Sequence, residues 1–150
     1  MPTRSALLRI VDANLNRAHE GLRVCEDLVR FILERPRHVR RLRGIRHALT
    51  PQALGLARFS TALLQARDSV RDPGRRFIPS RVDSVEALLL INFQRAKESV
   101  RVLEESARLL APRRAGFLQQ LRFRLYDAER DLLLDVAALR DRRRRSRRRA

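Results

Sequence analysis

The stretch NLNRAHEGLRVCEDLVR at residues 14–30 is written a second time 78 positions later, as NFQRAKESVRVLEESAR at residues 92–108. The copies agree at Asn14/Asn92, Arg17/Arg95, Ala18/Ala96, Glu20/Glu98, Arg23/Arg101, Val24/Val102, Glu26/Glu104 and Arg30/Arg108, eight of 17 positions. Around the first copy Leu8, Val11, Leu15, Ala18, Leu22, Cys25, Val29 and Ile32 step by three and four, the apolar seam of a helix packed in a bundle. Leu89, Phe93, Ala96, Val100, Leu103, Ala107 and Leu110 repeat it. Any two core helices share apolar positions, so the polar matches carry more information. Arg17, Glu20 and Arg23 lie off the seam, where a merely solvated face accepts many polar residues. Their recurrence points to a constrained polar constellation; ancestral duplication with surface ion pairs worth about 0.2–0.5 kcal/mol each is the plainer reading.

Working outward, a first helix is expected over residues 5–34, with Thr3 in its cap region and Gly21 as a weak point, stopping at Pro36. A second, shorter pattern follows at 37–49, through His38, Val39, Leu42, Ile45 and Leu49. Thr50-Pro51 reads as an N-cap and N1 proline opening a third helix at 51–66, with Leu54, Leu56, Ala57, Leu63 and Leu64. Periodicity then fails over 67–83, RDSVRDPGRRFIPSRVD. Long irregular segments in small domains tend to be functional or disordered, and Phe77 and Ile78 as anchors favour an ordered ligand loop. Asp83 and Glu86 have capping-box spacing at the head of a fourth helix that ends before Pro112. A fifth is expected at 114–139, through Phe117, Leu121, Leu125, Ala128 and Leu132. The expectation is an all-α antiparallel bundle of about five helices with the duplicated pair central. It forms one domain at 1–140, followed by a disordered arginine tail at 141–150.

The net charge is +17, of which the seven arginines of residues 142–149 supply seven, leaving +10. Lys97 is the only lysine among 34 cationic side chains. Arginine offers a fork of donors that suits phosphates and carboxylates, so anionic ligands are expected, nucleic acid being one class among several. With one Tyr and no Trp, stacking platforms are scarce, and polyanion binding would be nonspecific and confined to the tail. No apolar run is long enough to span a membrane and no signal pattern opens the chain, so a cytoplasmic location is expected. Cys25, the single cysteine, sits on the seam and reads as a packed thiol.

Several chemistries have no signature here. Phosphate-binding glycine motifs, C-x-x-C and H-E-x-x-H are absent. The histidines His19, His38 and His47 supply no Glu-x-x-His pair for a di-iron centre. What remains is arginines and carboxylates on facing helices. Arg17, Arg23, Arg95 and Arg101 can fork onto phosphate oxygens, while Glu20, Glu26, Glu98 or Glu104 can hold Mg²⁺ directly or through water. Asn14 and Asn92 have the donor and acceptor to read a heterocycle. Arg67, Asp68, Asp72 and Gly74 belong to a loop that can close over the ligand. Taken alone, these residues describe an all-helical binder of an anionic ligand.

RIVDANLNRAHEGLRVCED at 9–27, Arg46-His47, ARDSVRDPG at 66–74, NFQRAKESVRVLEE at 92–105 and Arg122-Phe-Arg-Leu-Tyr126 together resemble a known family over about residues 9–132. It is the small all-helical domain that often precedes thiamin-phosphate synthase in bacteria, a monofunctional hydroxymethylpyrimidine-phosphate kinase. The resemblance implies transfer of the ATP γ-phosphoryl group to hydroxymethylpyrimidine phosphate, with Mg²⁺ as cofactor and thiamin-phosphate synthase as consumer and partner of the product. It implies Arg17, Glu20, Arg95 and Glu98 as the catalytic set and Arg23 and Arg101 as further phosphate contacts. Metal or arginine-orienting roles fall to Glu20, Glu98 and Asp72, and pyrimidine or phosphate contacts to Asn14 and Asn92. Three features depart from the pattern. The synthase barrel is absent, so a stand-alone version is expected; Pro73 replaces a β-branched residue; and the arginine tail is extra. Two rival readings are a non-catalytic helical partner or carrier of the synthase and a nucleic-acid binder acting through the tail.

Overall fold

A computed structural model describes residues 3–57, 60–76 and 80–147. Its order is α1 (Arg4–Phe31), α2 (Pro36–Leu54), α3 (Ser60–Ala66), a 3₁₀ turn (Pro73–Arg76), α4 (Val85–Leu110) and α5 (Pro112–Arg147). The chain is all-α: five α-helices form the bundle, with no strand among the described residues. The duplicated helices α1 and α4 share the largest interface and lie at the centre, α2 packs on α1, and α5 packs on α4 and α2. The molecule is thus two helical hairpins, α1–α2 and α4–α5, joined by α3 and an irregular segment.

Local chemistry explains the ends. Thr3 Oγ1 accepts the Ala6 amide at 3.3 Å and caps α1. At the other end Glu34 takes a φ of 52°, and the Arg35 amide reaches back to the Val29 carbonyl at 3.1 Å. That left-handed residue turns the chain before Pro36, which opens α2 without needing its missing N–H. Ile32 therefore falls past the helix end and is 54% exposed, although it continued the seam in the sequence.

Four expected boundaries move. Thr50-Pro51 does not start a helix: α2 runs through Pro51 to Leu54, and only the short α3 follows. A proline there removes the bond to the His47 carbonyl, a cost of up to about 3 kcal/mol, but Leu49 and Ala53, both fully buried, hold the helix on either side. The cap of α4 is Ser84, whose Oγ accepts the Ala87 amide at 3.0 Å, one residue later than the capping box placed it. The last helix begins at Pro112 and runs on to Arg147, so residues 141–147 continue α5 where a disordered tail was expected. Arginine is nearly as good a helix former as leucine, and neither Gly nor Pro interrupts. Phe117 is 56% exposed and Leu118 takes the core position instead. Phe77 and Ile78 lie outside the described residues.

Gly21 is no weak point. It sits where α1 packs directly against the α4 backbone, and a Cβ there would lie 2.8 Å from the Asn92 carbonyl oxygen. Cys25 Sγ lies 3.8 Å from the Leu89 carbonyl oxygen, so later positions on α1 meet earlier ones on α4 and the two helices run antiparallel. Ala18 and Ala96, equivalent in the repeat, are both fully buried near the centre of this crossing. The hairpins are therefore related by an approximate two-fold axis through the alanines.

Candidate site in the groove between the repeats

A groove of about 600 Å³ runs along the α1–α4 seam and is lined by Asn14, Arg17, Glu20, Gly21 and Val24 from α1. The facing wall is Asn92, Arg95, Glu98, Ser99 and Val102, the same five positions of the second repeat. The duplication thus builds both walls of one cavity.

Asn14 and Asn92 are buried and held identically, each donating Nδ2 to the carbonyl four residues earlier, Ile10 and Leu88, at 2.8 Å. Each keeps its side-chain oxygen and one amide hydrogen for a ligand. Arg17 and Arg95 are exposed on the groove, and neither is paired with a carboxylate among the described residues. Glu20 and Glu98 stand beside them; Glu98 also accepts from Gln94 Nε2 at 2.7 Å. Arg23 and Arg101 turn out differently. Arg23 lies outside the groove and pairs with Glu26 and Asp27 at 3.8 and 3.9 Å, and Arg101 pairs with Glu104 and Glu105 at 2.9 and 2.7 Å.

Glu26 and Glu104 are buried and engaged in structural pairs. Arg46 of α2 clasps Glu26 through Nε and Nη2, and Arg122 of α5 clasps Glu104 through the same two atoms at 2.7 and 3.4 Å. Each hairpin therefore carries one buried arginine–glutamate pair at an equivalent place. Burying a lone carboxylate costs several kcal/mol, so these two are tied to their guanidinium partners and are not free for Mg²⁺. The Tyr126 hydroxyl accepts from Arg122 Nη1 at 3.1 Å, and Lys97 stacks on the same ring at 5.6 Å. At the corresponding place in the first hairpin His19 meets Thr50 Oγ1 at 3.2 Å. Burial and then the adjacent Arg46 push the His19 pKa below its ordinary value. His38 is a buried structural residue, its Nε2 2.7 Å from Asp135 Oδ2. Cys25 is fully buried, with its thiol pushed up to about 12, chiefly by burial, and is inert as a nucleophile.

The irregular segment lies against one half of the groove only. Arg67 donates Nε and Nη2 to the two oxygens of Asp12, both at 2.7 Å. Arg9 Nη2 reaches the Asp68 carbonyl at 3.5 Å. Asp68 Oδ1 accepts the Arg71 amide, and Asp72 Oδ1 accepts the Gly74 amide at 2.8 Å, so the segment is braced by its own aspartates. Gly74 is the partner of that turn and does not line the cavity. Arg67, Asp68 and Asp72 do, with Arg9, around a space of about 770 Å³ that shares Asn14, Arg17 and Glu20 with the groove.

Two exposed carboxylates in one groove suit Mg²⁺, which keeps several waters and shares phosphate oxygens with one or two protein carboxylates. A closed, all-protein metal cage is not built: among the described residues no three His, Cys, Asp or Glu side chains converge. Asp12, Arg9, Arg46 and Arg122 received no role from the sequence. Asp12, Glu26 and Glu104 each follow an apolar seam residue by four and precede another by three, a flank of the seam that in α1 and α4 also holds the half-buried His19 and Lys97.

A profile of the ThiD2 family matches residues 9–131 of this chain. Curated relatives include proteins named thiamine-phosphate synthase from Synechocystis sp., 40% identical over 133 residues, and from Nostoc punctiforme, 34% identical over 134. A further one, from Gloeobacter violaceus, is 38% identical over 128 residues. These alignments cover 86%, 87% and 82% of this chain but only 37%, 36% and 35% of the relatives, so the chain spans about a third of their length. No solved structure matches it.

Proposed function

Since the chain belongs to the ThiD2 family, we propose that it serves thiamin biosynthesis as a kinase, transferring the γ-phosphoryl group of ATP to hydroxymethylpyrimidine phosphate. One observation carries the reading: the groove lined by the same five positions of both repeats presents Arg17 and Arg95, unpaired among the described residues, beside Glu20 and Glu98. The same fold pairs Arg46 and Arg122 with buried glutamates and leaves these two arginines without carboxylate partners among the described residues.

In the proposed reaction an oxygen of the acceptor phosphate attacks the γ-phosphorus, and the bond from that phosphorus to the β–γ bridging oxygen breaks, releasing ADP. The acceptor is already largely dianionic near neutral pH, its second pKa being about 6, so no general base is needed. The task left to the protein is to bring two anions together and to balance charge on the oxygens of the transferring group. Arg17 and Arg95, on opposite walls, clamp the reacting phosphates from two sides. Glu20 and Glu98 would hold Mg²⁺, which neutralises charge on the phosphate oxygens when bound. Asn14 and Asn92, fixed by their own helices, orient a ring or phosphate through the groups they retain. Val24 and Val102 supply an apolar floor for a methylated heterocycle. The diphosphate formed is the substrate that a thiamin-phosphate synthase consumes, which makes that enzyme the proposed partner.

Offering the purified protein MgATP with hydroxymethylpyrimidine and with its monophosphate separates this reading from its rivals. Diphosphate formation from the monophosphate, with no phosphorylation of the alcohol, is the expected outcome. A folded protein that binds the monophosphate without turnover would be a carrier instead.

A further inference from the structure

The groove treats the two repeats alike, but the space beyond it does not. Asn14, Arg17 and Glu20 also line a second cavity, of about 770 Å³, beside Arg67, Asp68, Ser69 and Asp72. The second repeat cannot build this wall. Asp12, which latches Arg67, has Leu90, 41% exposed, as its counterpart, and Arg9 corresponds to Ala87. The two halves also differ in chemistry. The cavity gathers the guanidinium groups of Arg9, Arg17 and Arg67, the last held by Asp12, together with the carboxylates of Asp12, Glu20, Asp68 and Asp72. The α4 wall of the groove offers one guanidinium, Arg95, and one carboxylate, Glu98, with the Asn92 amide, the Ser99 hydroxyl and Val102.

Resting on the kinase reading above, we infer that the duplicated site is divided between unlike ligands: the α1 cavity takes the magnesium triphosphate and the α4 wall takes the pyrimidine monophosphate. A triphosphate carries several anionic oxygens and arrives with a divalent cation, so it calls for several guanidinium groups with carboxylates among them. A monophosphate on a small ring needs one fork, an amide and an apolar contact. Arg17 and Glu20 line both spaces and mark the junction where the γ-phosphoryl group meets its acceptor. Duplication would first have made two equal half-sites, and the segment between the hairpins then enlarged one of them.

Equilibrium binding tests the division, using a non-hydrolysable ATP analogue with Mg²⁺ and, separately, hydroxymethylpyrimidine phosphate. Arg9, Asp72 and Arg95 are all exposed, so Arg9→Ala/Asp72→Asn and Arg95→Ala leave the core intact. The first variant should weaken the nucleotide analogue about tenfold or more and the monophosphate by less than about twofold, and Arg95→Ala should do the reverse, as expected for loss of charge-assisted hydrogen bonds to one ligand. Losses shared equally by both ligands, or the opposite pattern, in a chain whose wild type turns over would overturn the division and leave the kinase reading standing. A wild-type chain that binds neither ligand would overturn both.

Discussion

Glycine 21 and glycine 44 make opposite predictions from the same substitution. A Cβ at Gly21 meets backbone, the Asn92 carbonyl at 2.8 Å, which cannot yield without parting α1 from α4. Gly21→Ala should therefore destabilise by about 1–3 kcal/mol, while Gly44→Ala, with nothing within 4 Å, should stabilise by about 0.5–1 kcal/mol. Urea unfolding of the two variants reads both signs. The buried pairs make a third case. Arg122→Met should cost about 2 kcal/mol because it leaves the buried Glu104 carboxylate with Arg101 alone as a partner, and Arg122→Met/Glu104→Leu should recover most of that; a single-variant cost below about 1 kcal/mol, typical of a surface pair, would contradict the pairing. For His19 the folded state disfavours the proton, so below the ordinary value of 6.5 the unfolded chain binds protons first and stability falls with pH. The contribution is fully present above 6.5 and is lost as pH drops through the lowered pKa. His19→Gln should flatten the stability loss as pH falls below 6.5, measured by denaturation midpoints. The sequence offered Glu26 and Glu104 as free carboxylates for Mg²⁺ and gave Asp12 no role. It did not show their partners, because Arg46, Arg67 and Arg122 lie on other elements and come from a chain crowded with arginine.

Helices were legible where period and cap agreed, and misread where one strong local signal stood alone. Thr50-Pro51 has the chemistry of a helix start, yet the burial of Leu49 and Ala53 carries α2 straight through it. Asp83 and Glu86 have capping-box spacing, yet Ser84 makes the bond. Ser84→Ala should therefore lower stability by about 1 kcal/mol and Asp83→Ala by much less; equal losses would restore the sequence-based cap. The end of α5 was invisible for a different reason: an arginine run is compatible with helix and with coil, and nothing apolar in it had to choose. The 67–76 segment could be recognised as irregular and charged. Its placement over α1 alone depends on Asp12 and Arg9, whose repeat counterparts are Leu90 and Ala87, and only the folded pair of hairpins makes that difference visible.

The molecule as a whole follows from its duplication. Two hairpins, each locked by a buried arginine–glutamate pair, cross at Ala18 and Ala96, and the antiparallel crossing brings equal residues of both copies to opposite walls of one groove. The eight matched positions carry such a constellation, and in the fold they separate by task. Asn14, Arg17, Glu20 and their partners face the groove, whereas Glu26 and Glu104 hold the hairpins, and Arg23 and Arg101 pair with carboxylates outside it. The central claim is that the unpaired arginines of the groove clamp phosphates in transfer. The most direct measurement follows ³¹P resonances of MgATP and hydroxymethylpyrimidine phosphate with wild type, Arg17→Ala and Arg95→Ala, all verified as folded. The account predicts growth of a pyrimidine diphosphate signal with wild type and a fall in kcat of about a hundredfold or more in each variant, the usual scale for losing one preorganised donor to a transition state. Full turnover in both variants would contradict it.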